Sequence, residues 1–150
     1  VPRIGLTKEL AYIQNYIDLE QNRLLGEDIQ IDYQQLGDPS SYQIAPLLLI
    51  AFVENAFKHG IKGANGPAFV KVTASIQSNL LTFSVENSIP PVRRRAEPQN
   101  DDKRRGGVGL TNVKRRLDAI YPDLYALSIT PDEGIYKVEL TITLFKRSDE

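Results

Sequence analysis

The chain has 150 residues, 41% hydrophobic and 25% charged, with a formal net charge of -1. It is sized for one domain with a sizeable core, and its balanced charge gives no general electrostatic grip on nucleic acid or anionic membrane. With no cysteine and one histidine, disulfides, thiol nucleophiles and cysteine zinc sites are excluded, a histidine zinc site is disfavoured, and a Ser-His-Asp triad could use only His59.

In chain order, Leu6, Leu10, Ile13 and Ile17 recur at spacings of four, three and four. This predicts an amphipathic helix from Thr7 to Leu24, with Thr7 as N-cap and Gly26 as stop. The pattern is too short for a coiled coil. It fits the end of a longer helical hairpin and a helix packed on its own domain equally well. Asp28 to Gln35 alternates, with Ile29, Ile31 and Tyr33 on one side, and predicts a half-buried strand. Tyr42 to Ala45 reads as a short edge strand.

A helix follows from Leu47 to Gly60, between Pro46 and the closing glycine. It is apolar on nearly every side, hence buried, except along a line of Glu54, Asn55, Lys58 and His59. Residues three and four apart share a helix face. One reading of this line is an ordinary Glu54–Lys58 ion pair with Asn55 as a local cap. The other is a ligand site in which Asn55 and Lys58 face an anion.

After a glycine-rich connection, Gly60 to Pro67, the strands Phe69–Gln77 and Leu80–Asn87 form a hairpin around Ser78-Asn79. Ile89 to Gly107 is almost devoid of apolar residues and carries Arg93–Arg95 and Lys103–Arg105. It reads as a mobile loop, a lid over a site or a plain insertion. Gly109 to Ile120 is a helix with Leu110, Val113, Leu117 and Ile120 on one face, and two strands follow, Tyr125–Thr130 and Tyr136–Phe145. The expected class is α+β, a two-layer sandwich whose mixed, mostly antiparallel sheet carries helices on one face.

Three features point to one chemistry: the polar line, the polar end of a strand at Asn87, and Gly106-Gly107-Val108-Gly109-Leu110 before a helix. A glycine turn at a helix start presents free N–H groups and the positive dipole end to an anion such as phosphate. Val53 to Gly60 resembles the N box of the ATP-binding domain of bacterial sensor histidine kinases, in the gyrase, heat-shock chaperone, histidine kinase and mismatch-repair superfamily. Gly107 to Leu117 resembles the second glycine box of the LytS-like subfamily, which acts with LytTR-type response regulators. Leu6 to Arg23, with Tyr16, Leu19, Glu20 and Arg23, is similar to the stretch that joins the dimerisation helices to this domain.

The resemblance implies a Bergerat-type ATP-binding fold. Residues 1–25 would end a dimerisation or linker helix, and 26–150 would form the catalytic domain with a lid at 89–107. Asn55 would hold Mg²⁺, Lys58 would contact the ATP phosphates, and His59 would line the same pocket. Asn87 would stand where the family reads adenine with an aspartate. Gly107 and Gly109 would frame the hinge and triphosphate, with Leu110 and Asn112 beside them, and Glu54 would orient or activate the attacking group.

Two departures carry consequences. Asn87-Ser88-Ile89-Pro90-Pro91 lacks the glycines of the family's first glycine box, and Ala51 stands where ATP hydrolases of the superfamily place a glutamate. Transfer is therefore expected over hydrolysis. The phosphoacceptor histidine would precede Val1, since His59 lies in the N box. The start at Val1 is compatible with the cytoplasmic piece of a membrane protein that dimerises through upstream helices. The alternatives are a degenerate interaction module and an anti-sigma-factor-type serine kinase.

Overall fold

The computed structural model describes residues 2–61, 66–89 and 99–147, the side chains of 99–109 and 131–132 excepted. In chain order the elements are β1 (Ile4–Gly5), α1 (Leu6–Arg23), β2 (Ile29–Leu36), β3 (Tyr42–Ile44), α2 (Ile50–Gly60), β4 (Ala68–Gln77), β5 (Leu80–Ser88), α3 (Gln99–Ile120), β6 (Tyr125–Asp132), β7 (Ile135–Thr143) and β8 (Phe145–Lys146).

Period-two alternation builds the main sheet. Val70, Val72, Ala74 and Ile76 of β4, Leu81, Phe83 and Val85 of β5, and Val138, Leu140 and Ile142 of β7 are all buried. Their polar neighbours occupy the other face. The five strands run in the order β2-β4-β5-β7-β6. Only β2 and β4 are parallel; the remaining pairs are antiparallel. On the open face one row reads Asp32, Lys71, Glu86, Lys137, with opposite charges on neighbouring strands.

Helices α1, α2 and α3 bury their apolar stripes in one core with the inner face of the sheet: Leu6, Leu10, Ile13 and Ile17 from α1, Phe52, Val53, Ala56 and Phe57 from α2, and Leu110, Val113 and Leu117 from α3. This is the expected α+β sandwich. Helix α1, read from sequence as the end of a linker, lays its whole apolar face into that core. A second sheet, β1-β3-β8, joins the two ends of the chain. There the Arg3 guanidinium lies 3.7 Å from the centre of the Phe145 ring, which stacks on Tyr121 at 4.9 Å.

Helices α1, α2 and α3 all start elsewhere than expected. Helix α1 begins at Leu6 with Gly5 as its N-cap and no side-chain cap bond, so Thr7 lies inside the helix and does not cap it. Helix α2 begins at Ile50 rather than Leu47, because Leu47 takes a left-handed conformation (φ 60°) and the backbone turns before the helix can propagate. Helix α3 begins at Gln99 rather than Gly109 and runs through Gly106, Gly107 and Gly109. Gln99, Lys103, Arg104 and Arg105 are residue types of high helix propensity. Together these offset glycines that cost about 1 kcal/mol each. Residues 90–98 of the expected lid lie outside the described residues, and 99–107 are helical.

Candidate functional site

Helix α2 buries Ile50, Phe52, Val53, Ala56, Phe57 and Gly60. Glu54 and Lys58 are exposed, while Ala51, Asn55 and His59 are half-buried. At 3.6 residues per turn, the pair Asn55 and His59 is centred roughly 100° round the axis from the pair Glu54 and Lys58. The polar line read from sequence is therefore two lines.

Glu54 and Lys58 look into an open groove of about 630 Å³ between α1 and α2, shared with Tyr16, Glu20, Arg23 and Glu27. No ion pair joins Glu54 to Lys58 among the described residues; Arg23 pairs with Glu20 at 2.6 Å instead. The local ion-pair reading of the stripe is thereby set aside, and the Lys58 ammonium faces solvent. Tyr16 bridges the helices, its ring edge-on to Phe57 at 5.5 Å. Its phenol is pushed up to about 12, first by burial and then by the negative charges of Glu20 and Glu54.

The far end of α2 rests on the end of β5. A Cβ placed on Gly60 would stand 2.8 Å from Asn87 Cβ and 3.0 Å from both Asn87 Nδ2 and Ser88 O. Only a glycine lets helix and strand approach this closely. Asn87 is 1% exposed and donates Nδ2 to Ser88 O at 2.9 Å. Ser88 Oγ in turn accepts from Phe69 N–H at 2.9 Å, tying the end of β5 to β4. The structure thus brings Asn87 against the helix that carries Asn55, Lys58 and His59.

The start of α2 is held from outside. Its N-cap, Leu49, has no side-chain cap bond. Instead the Glu9 carboxylate on α1, 1% exposed, accepts Leu47 N–H at 3.0 Å with Oε1 and Leu49 N–H at 3.1 Å with Oε2. From α3, Arg116 Nη2 donates to Pro46 O at 2.8 Å, and just after that helix the Tyr121 hydroxyl accepts Ala45 N–H at 3.1 Å. Burial pushes the Tyr121 phenol up, against the pull of Ala45 N–H, Arg3 and Arg116. Sequence reading passed over all three clamp residues. For Glu9 a signal existed: it lies three residues after Leu6 and four before Ile13, on the buried face.

Of the candidates on α3, Leu110 is 6% exposed and packs in the core, and Asn112 is exposed. Gly107 and Gly109 lie within the helix, not in an open turn before it. The donor set that remains fits a hard cation carried by a polyphosphate. The Asn55 carboxamide offers an oxygen, and Mg²⁺ commonly takes only one or two protein ligands with the rest from phosphate and water. No cluster of three or more His, Cys, Asp or Glu residues among the described residues would make a self-sufficient metal site.

No family model matches the chain. It is 29% identical over 130 residues to YwpD of Bacillus subtilis, covering 84% of this chain and 45% of that protein. It is 29% identical over 123 residues to the sensor histidine kinase YpdA of Escherichia coli, and 28% over 138 residues to the sensor protein LytS of Staphylococcus haemolyticus. Those matches cover 79% and 87% of this chain but 21% and 23% of the relatives, so the chain spans less than half of each curated protein. Among solved structures, the histidine kinase ShkA in complex with AMPPNP superposes with a TM-score of 0.65 at 20% identity, over 99% of this chain and 32% of ShkA. The catalytic domain of the histidine kinase ThkA gives 0.60 at 14% identity, over 94% of this chain and 95% of that one. ThkA has also been solved with the response regulator TrrA, and there the TM-score is 0.58 at 14% identity, over 94% and 41% of the two chains. At these identities the structures share the fold.

Proposed function

We propose that the chain, similar to the sensor histidine kinase YpdA and the sensor protein LytS, is the catalytic domain of a sensor histidine kinase, that it binds Mg·ATP, and that it supports transfer of the γ-phosphoryl group to a histidine outside residues 1–150. The observation that carries this reading is the seating of Gly60 on Asn87, which unites the polar end of α2 with the end of β5. When bound, Mg·ATP supplies the phosphoryl group and most of the charge neutralisation that phosphoryl transfer needs.

The chain's own residues position it. Asn55 offers an oxygen to the cation. Lys58, exposed and without an ion pair among the described residues, offers a point charge to phosphate. His59 lines the pocket, and Asn87 meets the base with a neutral carboxamide where an aspartate would bring charge. Glu54, beside Asn55, orients the accepting group. Gly107, Gly109 and Asn112 flank the nucleotide from α3, with Leu110 packing beneath them. The two glycines offer N–H groups if the turns around them open, which their low helix propensity makes inexpensive. Ala51 leaves no carboxylate one turn before Asn55 to activate water, which favours transfer over hydrolysis.

The full protein then passes the phosphoryl group to a response regulator, for which the LytTR type is the proposed class. Helices before Val1 supply the dimer, and the domain lies on the cytoplasmic side of a membrane protein. No helix among the described residues is long and apolar enough to cross a membrane. Calorimetric titration with Mg·ADP tests the core of this reading. Saturable binding in the wild type, lost in Asn55→Ala with the fold intact, is the expected result. No binding at millimolar nucleotide would leave a degenerate interaction module in its place.

A further inference from the structure

The turn from Ala45 to Leu49 is held more firmly than a connection needs. Four hydrogen bonds reach its backbone, two from α1, one from α3 and one from Tyr121 just after α3. Leu47 sits at φ 60° with its side chain 55% exposed, a strained conformation that persists only where the surroundings over-determine it. At its centre is Glu9, a carboxylate on the buried face of α1, where a leucine would continue the stripe and avoid desolvating a charge. The two Glu9 oxygens take N–H groups on either side of Leu48, so they set the rotation of the helix start as well as its height. The other end of α2 is seated on Asn87.

We propose that Glu9 is a positioning residue for the nucleotide site: by capping α2 from α1, it sets the rotation of the helix that carries Asn55 and is seated on Asn87 through Gly60. The proposal rests on the nucleotide reading above. Leu49 and Asn55 are six residues apart on a rigid helix, about 9 Å along the axis. A rotation at the cap therefore reaches Asn55 undamped.

The test uses the 150-residue chain with Glu9→Gln, which keeps the shape of the side chain but turns an amide donor toward a backbone N–H. Two measurements are made well below the melting midpoint, with the fold verified by near-ultraviolet circular dichroism: Mg·ADP affinity by calorimetry, and amide resonances without ligand. The expected result is binding weakened by about tenfold, the scale of one lost buried hydrogen bond, with displaced resonances at Asn55 and Gly60 as well as at Leu47 and Leu49. Adding Leu47→Gly to Glu9→Gln should recover the melting midpoint without recovering affinity.

Wild-type affinity in folded Glu9→Gln overturns the proposal, as does affinity that returns together with stability in the double variant. If the wild type itself binds no Mg·ADP, the nucleotide reading fails, and the ligand-free spectra decide alone. Unmoved Asn55 and Gly60 resonances then refute control of α2 by Glu9, and moved ones sustain it. Should Glu9→Gln not fold, Glu9→Asp, which keeps the charge at shorter reach, is read by the same two measurements and the same criteria.

Discussion

Replacing Gly60 with alanine sets two local effects against each other, and the structure decides the sign. In a helix interior, Gly→Ala gains about 1 kcal/mol from propensity. Here the new methyl would meet Asn87 Cβ at 2.8 Å and Ser88 O at 3.0 Å. Neither is the end of a flexible side chain: one is a β-carbon and the other a backbone oxygen, both on β5, which is hydrogen-bonded to a strand on each side. Relief requires α2 to lift from the sheet. Overpacking of this kind costs about 1–3 kcal/mol, and the stiffness of the neighbours argues for the upper half. The net expectation is a loss of about 1–2 kcal/mol, or a melting midpoint lower by about 2–8 °C for a domain of this size. Gly66→Ala is the control, since nothing among the described residues lies within 4 Å of its methyl and it should be neutral or slightly stabilising. Thermal and urea unfolding of the three proteins provide the assay. A Gly60→Ala protein as stable as the wild type would show that the helix–strand seat is soft and that its close approach does not position Asn87.

Tyr121→Phe keeps the stacking on Phe145 but leaves the buried Ala45 N–H without its acceptor; a loss of about 1–3 kcal/mol in urea unfolding is expected, and a loss within experimental error would discount the clamp. Leu47→Gly removes a left-handed leucine whose side chain is 55% exposed. It should stabilise by about 0.5–1 kcal/mol after the extra freedom of the unfolded glycine is counted, and destabilisation would mean the leucine side chain contributes packing that its exposure hides. Tyr16 and Tyr33 are raised from 10.0 to about 12 by burial. Because the folded state holds these protons more tightly, their contribution is intact below the unfolded value and is lost as pH rises from about 10 to about 12. Urea midpoints should fall across that window, less steeply in Tyr16→Phe, and a flat profile would refute the burial of both phenols.

Local patterns foretold what local patterns control. The four apolar positions of the first helix that set its periodicity are the ones buried beside Leu48, Phe52 and Phe83 in the core. Alternation located β2, β4, β5, β6 and β7 because each has one wet and one dry face. Strands β1 and β8 have two residues each, too few for any period. Leu47-Leu48-Leu49 looks like helix because nothing in three leucines announces a left-handed turn; a single carboxylate, that of Glu9, 38 residues before Leu47 and 40 before Leu49, holds it. The α3 start was misplaced for the opposite reason: glycines were read as punctuation, and the charged run before them had enough helix preference to carry the backbone through. At the site, the residues of α2 and Asn87 were legible as motifs, whereas the division of the stripe into a groove-facing line and an inner line depends on where α1 packs.

The parallel pairing of β2 with β4 has a kinetic consequence. Ile29 lies beside Ala68 and Leu36 beside Ser75, so the chain between them must cross the sheet and return, and α2 rides on that crossover. Antiparallel neighbours such as β4 and β5 close through a tight turn at little entropic cost, but this pairing has to close a far longer loop. The hairpin β4–β5 and the β6–β7 pair can therefore form early, while β2 and the helix between it and β4 join late. Hydrogen exchange under native conditions should open in the reverse order, with the amides of β2 and α2 exchanging at lower free energy than those of β5 and β7. The part of the molecule proposed to grip the nucleotide is thus the part that assembles last, and a bound ligand would raise the protection of that region above its ligand-free level.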